Sequence, residues 1–349
     1  MQVKAFWAQA LNEPMKPLEI TRRALRPQDL AFEVLYCGIC HSDLHTIKND
    51  RGTAVFPLVP GHEIVGRVTA IWDQVSDFKV GDLVGVGCIV ESCQHCQYCT
   101  EGEEQFCEKG VTFSFNSPDK VSGGMTYGGF SKTYVCEDKY VLHMPPFQNL
   151  AMAAPLLCAG ITVYSPLKHR QIGPGKKVWI LWIGGLGHLA IKIAKAMGAT
   201  VTVFTTSPEK LADAQRLWAD AAVLTTDHAA LRSAPKQDFI LDTISATHNI
   251  NQYLSLLTPD GSLVMVGLPV EHLKVSVFNL VHGRRSFVGS NIGGIRETQE
   301  MLDFCYQHNI LAEGEVLPIT QANQAFERLE KWDIHYRFVL DMQELWKFK

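Results

Sequence analysis

Four cysteines between residues 93 and 107 constrain this chain more than any other stretch: Cys93-Gln-His-Cys96-Gln-Tyr-Cys99, then Cys107. Four thiolates this close complete a tetrahedral shell around Zn²⁺ and leave no open position, which is the chemistry of a structural zinc. A lobe pinned in this way needs little apolar sequence of its own. His95 lies inside the loop, but the four thiolates are already a full set. The competing readings are four unmetallated thiols in an exposed loop and an iron–sulfur cluster. The second lacks the Cys-Pro ending of bacterial ferredoxin runs.

A second set of ligand types is spread over three segments. Cys40 lies in Cys37-Gly-Ile-Cys40-His41-Ser42-Asp43-Leu44-His45, His62 and Glu63 in Pro60-Gly61-His62-Glu63, and Cys158 in Leu157-Cys158-Ala159-Gly160. Cys, His and Cys from separate segments leave a fourth position for water or substrate, as a catalytic zinc requires. Taken singly, each is more ordinarily a buried cysteine or a satisfied core histidine. Cys37-x-x-Cys40 also fits a redox pair, a reading opposed by the metal-type residues downstream. Spacing leaves both Cys37 and Cys40 open as the ligand.

With 349 residues, 46% hydrophobic and 19% charged, the chain is long enough for two domains with sizeable cores. A net charge of -4 gives no basic footprint for nucleic acid or an anionic membrane. The N-terminus lacks the apolar run of a signal peptide. The uncharged stretch 150–167 contains Pro155, Gly160 and Pro166, which suit a crossing between domains better than a lipid-facing helix. Clustered thiols without a secretion signal point to a reducing, cytoplasmic setting.

Ala31–Tyr36, Ile64–Ile71, Leu83–Val90 and Tyr134–Leu142 read as strands of a mostly-β first lobe that ends near Pro145-Pro146. The pattern then changes. The apolar run Lys177–Trp182 leads into Ile183-Gly184-Gly185-Leu186-Gly187, a helical spacing follows through Met197, and Thr200–Thr205 is a second strand. Further strands are expected at Asp238–Leu241, Ser262–Val266 and Phe287–Gly289, with helices at Pro208–Trp218 and His248–Leu257 between them. This alternation predicts a parallel sheet covered on both faces. Helices near Arg296–Gln307 and Gln321–Trp332 and a strand at Tyr336–Asp341 close the chain.

Gly184 and Gly187 fill the second and third positions of the dinucleotide fingerprint, whereas the first position holds Trp182. Strand, glycine turn, helix and second strand in that order support a nucleotide site; the bland alternative is a turn that only packs helix on sheet. The second strand runs into Thr205-Thr206-Ser207-Pro208-Glu209-Lys210, with no carboxylate at its end. Hydroxyls and the Lys210 cation there suit a 2′-phosphate, hence NADP(H), although Thr and Ser also suit the cap of a following helix. The Trp182 indole is expected to turn into the sheet–helix core and leave the glycines open. The other arrangement puts it in cofactor space.

These stretches, together with PLLCAGITVYSPL at 155–167, GGIRETQEMLDF at 293–304 and YRFVLD at 336–341, resemble the zinc-dependent medium-chain dehydrogenases/reductases. The likeness runs nearly end to end and is greatest to the cinnamyl alcohol dehydrogenase branch with its bacterial aldehyde reductases. It implies an α/β chain: a GroES-like, mostly-β catalytic domain over 1–157 and 294–349, and a doubly wound Rossmann domain over 158–293. It selects Cys40, His62 and Cys158, with Glu63 in the resting site, for a catalytic zinc, beside the structural zinc at Cys93, Cys96, Cys99 and Cys107. It implies cofactor contacts at Thr162, Gly184, Gly185, Leu186, Gly187, Thr205, Thr206, Ser207, Lys210, Thr243, Val266, Ser290 and Arg337. A homodimer acting on small aldehydes or alcohols is expected.

The same resemblance implies a Lewis-acidic zinc, a nicotinamide hydride, and a proton relay through Ser42, the cofactor ribose and His45. The spacing agrees, since Ser42 follows ligand Cys40 by two residues and His45 lies three further on. Bland roles are a turn hydrogen bond for Ser42 and a surface imidazole for His45. Asp43 is placed to orient a ligand. Two other functions stay open: a polyol-type zinc dehydrogenase, whose members often lack the second thiolate, and a nucleotide-binding zinc protein with little turnover, favoured only by Trp182.

Overall fold

The structure, a computed structural model, describes residues 1–347. Two compact units divide the chain: Met1–Cys158 with Gly293–Lys349, and Ala159–Ile292. Cys158 therefore belongs to the first unit, one residue outside the boundary expected from sequence.

The first unit begins with an antiparallel pair, β1 (Gln2–Trp7) and β2 (Lys16–Thr21). Its main strands are β3 (Asp29–Ile39), β4 (Ile64–Ile71) and β5 (Leu83–Val86). A short pair follows, β6 (Ile89–Glu91) and β7 (Thr112–Phe113), then β8 (Thr133–Glu137) and β9 (Leu142–His143). The strand expected over Leu83–Val90 is thus broken at Gly87-Cys88. A backbone reason is at hand: a Cβ on Gly87 would stand 2.8 Å from the carbonyl oxygen of Leu157. Tyr134–Leu142 is likewise interrupted, by a 3₁₀ turn at Asp138–Tyr140.

The second unit is a six-stranded sheet formed by β10 (Lys177–Leu181), β11 (Thr200–Thr205), β12 (Ala221–Leu224), β13 (Gln237–Asp242), β14 (Leu257–Met265) and β15 (Ser286–Gly289). Every pairing is parallel, in the order β12-β11-β10-β13-β14-β15. This is the doubly wound Rossmann order, with its switch point between β10 and β13, where ligands bind at the carboxyl ends of the strands. Trp179 and Phe204 pack against each other in its core, rings tilted and centroids 3.8 Å apart, among Leu181, Ile240, Leu254 and Leu263. Strand β12 was not expected from sequence; its Ala-Ala-Val-Leu is short and only partly buried.

The chain then completes the first unit with β16 (Gly314–Pro318) and β17 (Arg337–Asp341). They extend a seven-stranded sheet, β16-β17-β3-β4-β5-β9, with β8 also paired to β3. Strand β17 runs antiparallel to β3, with Leu340 opposite Cys37. Strand β16, an edge strand ending in proline, carried no clear alternation and was not expected. Among the described residues no single helix is long and apolar enough to cross a membrane.

Candidate metal centres and dinucleotide turn

Ligand atoms of Cys40, His62, Glu63 and Cys158 lie within 4.8 Å of one another. Strand β3 ends at Ile39, and Cys40 is the N-cap of the helix His41–Ile47. Its sulfur accepts from the Ser42 N–H at 3.5 Å, and its own N–H donates to Asp43 Oδ2 at 2.9 Å. Cys37, still within β3, is fully buried and faces Gly61 and Gly129, where added Cβ atoms would come within 2.7 and 2.9 Å of its sulfur. The strand-to-helix change between them points the two sulfurs in different directions, so Cys40 joins the group and Cys37 packs in the core.

Asp43 is completely buried. Its Oδ1 accepts the Gly61 N–H at 2.9 Å and lies 3.1 Å from His62 Nδ1. That contact fixes the tautomer and leaves Nε2 as the nitrogen for a metal. Burial works against the imidazolium, but Asp43 outweighs it and raises His62 well above the usual imidazole range. Cys40 is drawn well below the ordinary thiol range, first by a hydrogen bond from Cys158 and then by His62. Burial pushes Glu63 up to about 7 against the opposing pull of Arg337. The Arg337 guanidinium, itself 4% exposed, forms an ion pair with Glu63. Arg337, expected at a cofactor contact, here partners the site's own carboxylate, and its Nε has no hydrogen-bond partner.

Ser42 and His45 stand one turn apart on the same face of the helix. Ser42 Oγ is 3.7 Å from Cys40 Sγ, and His45 Nδ1 is 2.7 Å from Asp50 Oδ2. Two participants carried no sequence signal. Asp50 lies beyond the quoted motif, and Cys88, at the β5–β6 break, has its thiol drawn below the ordinary range, first by the neighbouring Cys158 thiol.

The sulfurs of Cys93, Cys96, Cys99 and Cys107 form the second group within 4.8 Å. Backbone N–H groups support it: Cys93 N–H donates to Cys107 Sγ and Cys96 N–H to Cys93 Sγ, both at 3.4 Å. The N–H groups of His95 and Cys96 pull the Cys93 thiol down to about 6. Cys96, Cys99 and Cys107 are themselves the buried cluster of this lobe, and the partly buried hydrophobic residues packed against them are Cys93 and Val111. Tyr98 and Phe106 are exposed. A lobe whose interior is made of thiols fits a metal core better than an apolar one. Both donor sets suit zinc in residue type and grouping.

In the second unit, the glycine turn follows β10 and opens the helix Gly187–Ala196. A Cβ on Gly187 would stand 1.9 Å from the Trp182 carbonyl oxygen, so only glycine lets this helix start so close to the strand end. Thr243 Oγ1 donates to the Leu181 carbonyl at 2.7 Å, tying β13 to the turn. Thr205 is buried, Thr206 is exposed, and Ser207 N–H donates to Thr205 Oγ1 at 3.1 Å. Gly185 and Leu186 are half-buried in the turn. Val266 and Ser290 sit just beyond β14 and β15, at the same sheet edge; Thr162 is buried in the helix Ala159–His169.

Trp182 does not enter the core. It is half-buried at φ 77°, with its indole against Gly184 and Lys210 Nζ 4.1 Å above the ring centroid. The reason is conformational: the left-handed backbone turns the side chain out of the sheet–helix interface. The turn, its helix N-terminus and the adjacent Lys210 cation still compose a site suited to a phosphate-bearing dinucleotide, with the indole lying against Gly184 at its edge.

Two family models match: an alcohol dehydrogenase GroES-like domain over residues 26–146 and a zinc-binding dehydrogenase over 185–307. The chain is 49% identical over 348 residues to aldehyde reductase YahK of Escherichia coli, covering 99% of each chain. Among solved structures it is similar to a cinnamyl alcohol dehydrogenase from Sorghum bicolor, with TM-score 0.95, 41% identity and 98% of each chain covered. It is also similar to a Helicobacter pylori cinnamyl alcohol dehydrogenase complexed with NADP(H), with TM-score 0.92, 39% identity and 99% of each chain covered.

Proposed function

This chain belongs to the zinc-dependent medium-chain dehydrogenases/reductases, in the branch of the cinnamyl alcohol dehydrogenases and bacterial aldehyde reductases, and from that premise we propose that it reduces aldehydes to primary alcohols with NADPH. It is a zinc-dependent oxidoreductase that moves a hydride between NADP(H) and an aldehyde/primary alcohol pair. The observation that carries the reading is the Cys40–His62–Cys158 donor set, one thiolate of which polyol-type relatives often lack.

When bound, the zinc supplies Lewis acidity and the nicotinamide supplies the hydride. Cys40, His62 and Cys158 would hold the metal, and Asp43 fixes His62 so that Nε2 faces it. Arg337 balances the buried Glu63 charge, leaving that carboxylate close to the donor set without an uncompensated ion in the interior. Ser42, on the outer face of its helix, gives a proton to the product oxygen. His45, aligned by Asp50, restores that proton from solvent.

Preference for NADPH rests on Thr205, Thr206, Ser207 and Lys210, with no carboxylate at the end of β11. The functional unit is a homodimer joined at edge strand β15. In support, Val277, Phe278 and Val281, on the helix that precedes β15 in the chain, are 67%, 71% and 73% exposed in the single chain. The setting is cytoplasmic, in keeping with ten cysteines that form no disulfide. A panel of aromatic and aliphatic aldehydes, assayed with NADPH and NADH side by side before and after zinc removal, tests the reaction. Consumption of NADPH that depends on both aldehyde and zinc is expected. Turnover confined to polyols with NAD would refute it.

A further inference from the structure

The face of Gly184 that a dinucleotide's pyrophosphate needs is covered by the chain's own indole. A Cβ on Gly184 would lie 2.7 Å from Trp182 Nε1 and 2.9 Å from its Cδ1. Trp182 arrives there through φ 77°, a conformation that glycine adopts freely and a bulky residue adopts only at a cost. The turn is otherwise intact: Trp182 N–H donates to the Phe204 carbonyl at 2.8 Å, continuing the pairing of β10 with β11. Lys210 closes the arrangement from above. Its Nζ sits 4.1 Å from the indole centroid and donates to the Ile183 carbonyl at 2.8 Å. One ammonium thus holds both the ring and the backbone of the turn.

We propose that Trp182 is a specificity-determining residue, a Lys210-clamped cap on the dinucleotide turn that a cofactor bearing a 2′-phosphate releases and one lacking it must displace. The inference rests on the reading of this turn as the NADP(H) site. A 2′-phosphate takes the Lys210 ammonium in charge-assisted hydrogen bonds. The cation–π contact is then given up and the indole can leave Gly184. NADH offers Lys210 only a hydroxyl, so the clamp stays closed and its opening is subtracted from NADH affinity. Trp182 therefore lowers absolute affinity for both dinucleotides and lowers it more for NADH, which is discrimination by an obstacle to the wrong ligand.

The test is isothermal titration of NADPH and of NADH, without aldehyde, into the zinc-loaded protein and its W182G, W182F and K210A variants. Thermal melting and metal analysis accompany each. W182G is expected to bind NADH about tenfold tighter and NADPH about threefold tighter, so the preference narrows by about threefold. W182F keeps a smaller ring under Lys210 and falls between. K210A is expected to bind NADPH more than tenfold weaker but NADH about threefold tighter, because the clamp is gone. Weaker binding of both dinucleotides by W182G at unchanged melting and zinc content overturns the proposal, as does an equal gain for both, or a K210A variant with unchanged NADH affinity. A wild type that binds neither dinucleotide overturns the cap and the cofactor reading together. The stated shifts in a protein that turns over no aldehyde leave the cap standing and sink the aldehyde reading alone.

Discussion

Asp43 Oδ1 stands 3.1 Å from His62 Nδ1, nineteen residues along the chain, and leaves Nε2 as the nitrogen that faces Cys40 and Cys158. The same carboxylate accepts the N–H of Cys40 and of Gly61, so one buried side chain orients two of the three metal-binding segments. Replacing Asp43 by Ala is expected to weaken the zinc at Cys40–His62–Cys158 by about 10- to 100-fold. Chelator competition followed by metal analysis checks this. The four-cysteine zinc should remain; loss of both metals together would mean that Asp43 supports the unit as a whole.

The two metal groups should separate by mutation. Cys158→Ser is expected to abolish aldehyde turnover while the protein keeps one zinc and its melting temperature within a few degrees. Cys96→Ser is expected to cost stability first, because the lobe's interior is made of its own thiols. Zinc content, circular dichroism and activity on both variants decide it. Equal loss of stability in the two would contradict the division of roles.

Gly38 is the second residue of the Cys-Gly-Ile-Cys motif. A Cβ there would stand 1.9 Å from Glu63 Oε2. Gly38→Ala must therefore push the carboxylate away from Arg337 or move β3. Overpacking of this kind costs about 1–3 kcal/mol. Urea denaturation is expected to show a loss in that range, together with reduced turnover. An unchanged midpoint would show that Glu63 moves aside freely.

Asp29 offers a test of pH dependence away from the metals. Burial opposes its ionisation, but hydrogen bonds from Arg23 and Arg26 outweigh burial and hold the carboxyl down to about 2. A folded pKa below the unfolded value stabilises at neutral pH, and that stability is lost as pH falls through the folded pKa. Asp29→Asn is expected to cost about 2 kcal/mol at neutral pH. The gap to wild type should narrow as pH drops from about 4 toward 2. A gap independent of pH over that window would assign the loss to packing and not to charge.

The four-cysteine set was legible because metal chemistry demands particular residue types at close spacing, and Cys93 to Cys107 meets that demand within one loop; Cys40, His62 and Cys158, spread over three segments, were legible by residue type and selected by the family resemblance. The parallel sheet was legible in the apolar run of β10, the glycine turn and the β11 strand, whose bounds match the structure. Strands β12 and β16 were not, since neither carries a buried alternating face that its own sequence announces.

The sequence by itself determined which side chains could bind zinc and that a dinucleotide turn follows β10, because these properties depend on residue type and local spacing. Tertiary structure decided the rest. Cys37 and Cys40 are equivalent by type, and the end of β3 sends one sulfur into the core and the other to the metal group. Arg337 meets Glu63 only because β17 pairs with β3 across most of the chain's length. Trp182 faces Gly184 and Lys210 because its backbone angle turns the indole outward, and that angle follows from how β10, β11 and the following helix close around the turn. Side-chain direction is set by backbone conformation and by neighbours distant in sequence, which spacing along one chain does not encode.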